Sequence, residues 1–111
     1  MMYIDFIADN ITYKLRLSTR AIVNLEKAMG CNPMAIFGFD ETNPKMPEVT
    51  TMVNILHAAL QQYNHGITLN DTYDIFDKWL ADGHMVTDFL GVINELYKVS
   101  GLFPKETTEK N

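Results

Sequence analysis

The residues of this chain with chemistry to offer are three histidines, a scatter of aspartates and one cysteine. His57 and His65 fall on one predicted helix, where a rise of ~1.5 Å per residue puts about 12 Å between them, too far to share one zinc ion. His84 stands beside Asp82 and Gly83 without an HExxH or Cys-His spacing to support a metal site. Asp71, Asp74, Asp77, Asp82 and Asp88 suggest calcium or carboxylate catalysis, but no window has the alternating oxygens and central glycine of an EF-hand loop. On a helix the first three form a drifting solvent-side stripe, and Asp71 and Asp74 complement the helix dipole. Cys31 follows a helix-ending glycine with no local signature of a base, so it reads as a small apolar residue. GxSxG, Walker A and GxGxxG elements are absent from the sequence. An enzymatic reading would rest on His57, His84 and the aspartates alone. The expectation is a non-enzymatic protein with no catalytic, cofactor-binding or metal-ligating residues.

The elements that must position these groups fit in one domain. A chain of 111 residues, 47% of them apolar, can build one core and not two. We expect a globular domain over 1–103 and a polar, disordered tail over 104–111. The formal charge of -5 repels phosphate backbones and argues against nucleic-acid binding. It is unevenly placed. Up to Pro47 acids and bases balance, whereas from Glu48 to Phe103 only Lys78 and Lys98 oppose Glu48, Asp71, Asp74, Asp77, Asp82, Asp88 and Glu95. Between Val49 and Asn70 no residue is charged, yet Asn54, His57, Gln61, Gln62, Asn64 and His65 interrupt any run able to span a bilayer. Such a stretch suits a helix buried on more than one side, by its own domain or by a partner. The start Met1-Met2-Tyr3-Ile4-Asp5 lacks the pattern of a signal peptide, and a lone cysteine makes no internal disulfide, so a cytosolic location is expected.

The order of elements reads as ββα followed by mostly helix: an α+β, mainly α fold, with an N-terminal β-hairpin packed on a bundle of about four helices plus a short helical turn. Residues Tyr3 to Ile7 and Ile11 to Leu17 are β-branched and aromatic, with turn formers between them. In the second strand Ile11, Tyr13, Leu15 and Leu17 share the face expected to be buried. Ser18 or Thr19 caps a first helix that carries Ile22, Leu25 and Met29 and stops at Gly30. Asn32-Pro33 opens a short turn through Met34, Ile36 and Phe37, ending at Gly38, and Phe39 to Pro47 is a polar loop expected to be mobile. The next helix starts at Pro47 or Glu48, carries Val49, Met52, Val53, Leu56, Ala59, Leu60 and Tyr63, and ends near Gly66. Thr68 with Asp71 forms a capping box for a helix with Leu69, Tyr73, Phe76 and Leu80 on its stripe, flanked by Ile75 and Trp79. A last helix runs from about Met85 to Ser100, with Val86, Phe89, Leu90, Ile93, Leu96 and Tyr97 on one side.

Flexible apolar groups crowd the middle loop and its flanks. Methionine adapts its shape, so this excess either fills gaps in a small core or forms a surface that accepts apolar partners. Phe37-Gly38-Phe39 is hard to bury as a unit beside a polar loop, which points one ring toward a partner. The candidate partner-binding residues are Met34, Ile36, Phe37, Phe39, Met46 and Met52, in contact with a client or with other copies of the chain. A second route is self-association through the helix from Val49 to Tyr63, whose uncharged polar side packs without burying charge.

The stretch from Tyr13-Lys14-Leu15-Arg16-Leu17-Ser18-Thr19-Arg20 through Leu25-Glu26-Lys27-Ala28-Met29-Gly30-Cys31-Asn32-Pro33 to Ile36-Phe37 resembles the opening of tail assembly chaperones from siphophages and prophages of Gram-positive bacteria. Ile55-Leu56-His57-Ala58-Ala59-Leu60-Gln61, Tyr63-Asn64-His65-Gly66 and Tyr97-Lys98-Val99-Ser100-Gly101-Leu102 resemble the same family, so the likeness runs from Tyr3 to Phe103. The resemblance implies a protein of the host cytoplasm that coats the tape measure protein, helps bring it to the major tail protein during tail tube morphogenesis, and is absent from the mature virion. It further implies, for many members, a frameshifted longer form. A homo-oligomer is compatible with it. The rival class is a phage or prophage regulatory interaction module, an adaptor or antirepressor, which gene position beside the tape measure gene discriminates. Replacing Phe37 and Phe39 by Ala is expected to weaken client binding in a pull-down while circular dichroism stays unchanged; unchanged binding by a folded variant rejects that placement.

Overall fold

In a computed structural model, residues 2–30, 32–34 and 47–103 are described. The expected polar loop up to Met46, the positions 36–38, Cys31 and the tail 104–111 lie outside the described residues. Among those described, the chain forms an antiparallel two-stranded hairpin and four α-helices, a compact α+β fold. The strands are β1, Ile4–Ala8, and β2, Ile11–Leu15. Their register runs from Ile4 opposite Leu15 to Ala8 opposite Ile11. The two-residue turn Asp9-Asn10 has both φ angles positive, at 52° and 66°. Asn and Asp tolerate that region, and the turn it makes matches the right-handed twist of the strands.

A hairpin cannot bury its apolar face alone. Here Phe6, Ala8, Leu15 and Leu17 are buried by the helices. Helix α1 is Thr19–Met29, capped by the Ser18 hydroxyl, which accepts from the Ala21 N–H, and closed by Gly30 at φ 71°. Helix α2, Val49–Leu60, carries Met52, Val53, Ile55, Leu56, Ala59 and Leu60 into the core and packs on α1, β2 and α3, Leu69–Ala81. A 3₁₀ turn over Val86–Asp88 leads into α4, Phe89–Val99, which buries Phe89, Ile93, Leu96 and Tyr97. No helix among the described residues is long and apolar enough to cross a membrane.

The edges of these elements are closed by side chains. Asn64 donates from Nδ2 to both Lys14 O and Leu60 O at 3.0 Å, and the Arg16 N–H donates to Ala59 O at 3.1 Å, so the outer edge of β2 is tied to the end of α2. Arg16 Nη1 donates to Val99 O at 2.7 Å and to Met2 O at 2.9 Å, placing a cation at the C-terminus of α4 where the helix dipole favours it. The Ser100 hydroxyl accepts from the Leu17 N–H at 2.9 Å. The buried Tyr97 hydroxyl donates to Pro33 O at 3.0 Å and fastens the turn after α1 to α4.

Three local expectations are corrected. Helix α2 ends at Leu60 and not near Gly66, because Gln61 and Asn64 turn their amides onto His57 O, Ile67 O and Leu60 O; Tyr63, past that end, is exposed, and so is Val49 in the first turn. On α3 the buried face is Thr72, Ile75, Phe76 and Trp79, with Tyr73 and Leu69 outside it. Thr72 is buried without cost to its hydroxyl, which donates to Thr68 O at 2.9 Å. Ile11, expected inside, lies beside the turn beyond the reach of the helices and is 49% exposed.

The expected capping box is present: the Thr68 N–H donates to Asp71 Oδ2 and the Asp71 N–H to the Thr68 hydroxyl, both at 3.0 Å. The backbone bond first, and the hydroxyl bond second, hold the Asp71 carboxyl below its usual pKa. A depressed carboxyl stabilises the fold above its unfolded pKa, and that contribution disappears as pH falls through the folded value. Thr68→Ala is expected to cost ~1 kcal/mol in urea denaturation and to move the Asp71 titration, followed by NMR, back toward the ordinary range. Met52→Ala, which empties a fully buried site, is expected to cost about 2–5 kcal/mol.

Candidate functional site

Helices α1 and α2 lie side by side without filling the space between them. Ala21, Asn24, Leu25 and Ala28 fall on one face of α1 at the i, i+3, i+4, i+7 spacing, and Asn54, His57, Ala58 and Gln61 do the same on α2. With alanine at three of these positions the walls are thin, and a groove of about 780 Å³ remains. Gln62 and His65 continue its α2 wall past the helix end, and Ser18 and Arg20 close it at the start of α1. Among the described residues, Arg20 is the one charged residue on its lining, and no acid lines it. In a chain of net charge -5 this surface carries one arginine at its edge and otherwise amide and imidazole groups spaced along an apolar floor.

Such a surface suits a helix. Apolar side chains of an incoming helix fit between alanines, and Asn54, His57 and Gln62 can exchange water for uncharged polar groups of a partner without the desolvation cost of buried charge. Among the described residues on its lining, the imidazoles of His57 and His65 stand with amides and with the Ser18 hydroxyl, which caps α1.

The residues singled out in the sequence are dispersed. Met52 is fully buried in the core, one turn before Leu56 on the inward face of α2, so it is corrected from a partner contact to a core residue. Met34 is half-buried against the core beside the turn held by Tyr97. Ile36, Phe37, Phe39 and Met46 lie outside the described residues. The histidines separate: His57 and His65 line the groove, while His84 stacks on Trp79 with ring centroids 4.4 Å apart and an interplanar angle of 9°. Three aspartates serve the fold, Asp71 as a cap, Asp82 by accepting the Asp9 N–H at 2.8 Å, and Asp88 by accepting the Met85 N–H at 2.8 Å. Among the described residues no group of three His, Cys, Asp or Glu is placed to hold a metal ion. The α2 wall of the groove coincides with the uncharged stretch that the sequence marks out. Its α1 wall was missed, although Ala21 and Ala28 one heptad apart are a signal of a thin helix face.

Neither curated proteins nor solved structures include a match to this chain. A family profile does match, described as a family of unknown function, DUF6096, and the match covers residues 6–111. With all of the hairpin but its first two residues, and all four described helices and the groove, inside the matched span, the chain belongs to that family of unknown function.

Proposed function

We propose that this protein is a non-enzymatic tail assembly chaperone of a phage or prophage, which holds the tape measure protein in the host cytoplasm, helps recruit the major tail protein and does not remain in the finished virion. The observation that carries this reading is the groove between α1 and α2, whose described lining holds no acid. A client of long amphipathic helices presents repeated apolar stripes, and a groove with thin alanine walls and no acid on its lining accepts many such stripes without selecting one charge pattern. The segments resembling tail assembly chaperones coincide with its walls, since Arg16 to Arg20, Leu25 to Met29 and Ile55 to Gln61 belong to or adjoin α1 and α2.

The test is coexpression of the full chain with the tape measure protein of the same genome, followed by purification and light scattering. A soluble complex with several copies of this chain per client is the expected result. Ala28→Trp, which places an indole in the groove from an exposed position on α1, is expected to lower recovery of the client about tenfold, equivalent to ~1.4 kcal/mol, with an unchanged circular dichroism spectrum. An insoluble client beside free, folded wild-type protein overturns the proposal and puts the regulatory adaptor in its place.

A further inference from the structure

The two outer edges of the hairpin are treated differently. With a two-residue turn, Ala8 and Ile11 form a hydrogen-bonded pair, and the pairs Phe6 with Tyr13 and Ile4 with Leu15 repeat it. The backbone groups of Asp5 and Ile7 therefore point away from β2, as do those of Thr12 and Lys14 on the other side. The β2 edge is covered, through Asn64 on Lys14 O and the Arg16 N–H on Ala59 O. On the β1 edge, among the described residues, the N–H and C=O groups of Asp5 and Ile7 have no partner.

That open edge faces a cleft. A depression of about 560 Å³ separates β1 from the start of α4, where Asp88, Gly91, Val92 and Glu95 form the opposite wall and His84 lies on the stacked Trp79. Among the described residues Asp5, Asp88 and Glu95 line it and no Lys or Arg does; Lys98 meets Glu95 at 3.4 Å, and Lys14 stands across the hairpin from Asp5. Ile7, 54% exposed, gives the rim an apolar contact. Gly91 is the second observation. It sits in the first turn of a helix with ordinary negative φ, and a Cβ placed on it would meet nothing within 4 Å. The protein's own packing does not require this glycine, which weakens the helix relative to alanine. It leaves room for a neighbouring backbone laid along the cleft.

We infer that the cleft between β1 and α4 is a strand-accepting docking site for an extended, lysine- or arginine-bearing segment of a partner protein. The segment pairs with Asp5 and Ile7 as a third strand, sets its apolar side chains on Ile7 and Val92, and brings its cations to Asp5, Asp88 and Glu95. A second copy of this chain is a poor occupant, because pairing β1 with β1 brings the acids of both copies into one cleft. The site is separate from the α1–α2 groove, and the inference stands whether or not the chaperone reading does.

The probe is an acetylated and amidated peptide of alternating Lys and Val, added to the isotope-labelled full chain. Amide hydrogen exchange at Asp5 and Ile7 is expected to slow at least about tenfold. A Glu-Val peptide, and a Lys-Val peptide N-methylated on alternate amides, are expected not to bind. Ile7→Pro removes the outward donor without touching the bonds to β2 and is expected to abolish binding. Gly91→Gln, whose Cβ meets nothing within 4 Å, is expected to do the same and serves if the proline variant does not fold. Unchanged exchange at Asp5 and Ile7 under saturating peptide, equal binding of the methylated or acidic peptide, or full binding by the folded variants overturns the inference. So does slowing of those two amides with protein concentration alone, which means that a second copy occupies the edge.

Discussion

Phe6 lies against Trp79 of α3 at 5.4 Å and against Phe89 of α4 at 6.1 Å, and this three-ring contact is what gives a two-stranded sheet a place to bury itself. Trp79 and Phe89 are themselves 5.7 Å apart, and Phe76 meets both, so the rings interlock as stacked and edge-on pairs. Once β1 is held there, the register places Leu15 and Leu17 over α2, and Arg16 reaches the last carbonyl of α4. Helix α2 then lies against α1, α3 and β2 together. Helix α1 rests mainly on α2, and space is left between those two.

Much of this arrangement was legible in the chain. The Asp9-Asn10 turn, the Ser18 cap, the Gly30 stop and the Thr68-Asp71 box are local chemistry, decided by residues within one turn of each other, and each appears where the sequence placed it. The misreadings concern positions decided by distant partners. Tyr73 and Leu69 fit a helical stripe as well as Thr72 and Trp79 do, and only the aromatic cluster around Phe6 selects the second set. Asn64 looks like another polar residue on a long helix until Lys14 O, far away in sequence, is found beside it. Met52 reads as a flexible contact from composition, whereas its place one turn from Leu56 makes it core. For the candidate site, the uncharged run from Val49 to Asn70 announced one wall of the groove, and the pairing of α1 with α2 that makes it a groove is tertiary and has no local signature.

Charge is partitioned between the two concavities in a way the linear sequence half reveals. The net charge of -5 resides in the second half of the chain, but the α2 segment contributes none of it to the groove. The acids of α4 and its preceding turn, Asp88 and Glu95, instead join Asp5 from the otherwise balanced first half at the edge of β1. The occupants proposed for the two, an amphipathic helix and a cationic strand, therefore meet separate surfaces of different charge.

Whether the α1–α2 groove receives a helical client, as proposed, is decided by hydrogen exchange on the complex with the tape measure protein. The expected result is slowed exchange confined to α1 and to the second half of α2, with the amides of the Phe6 cluster unchanged. A complex in which α1 and α2 exchange as they do in the free protein would contradict it.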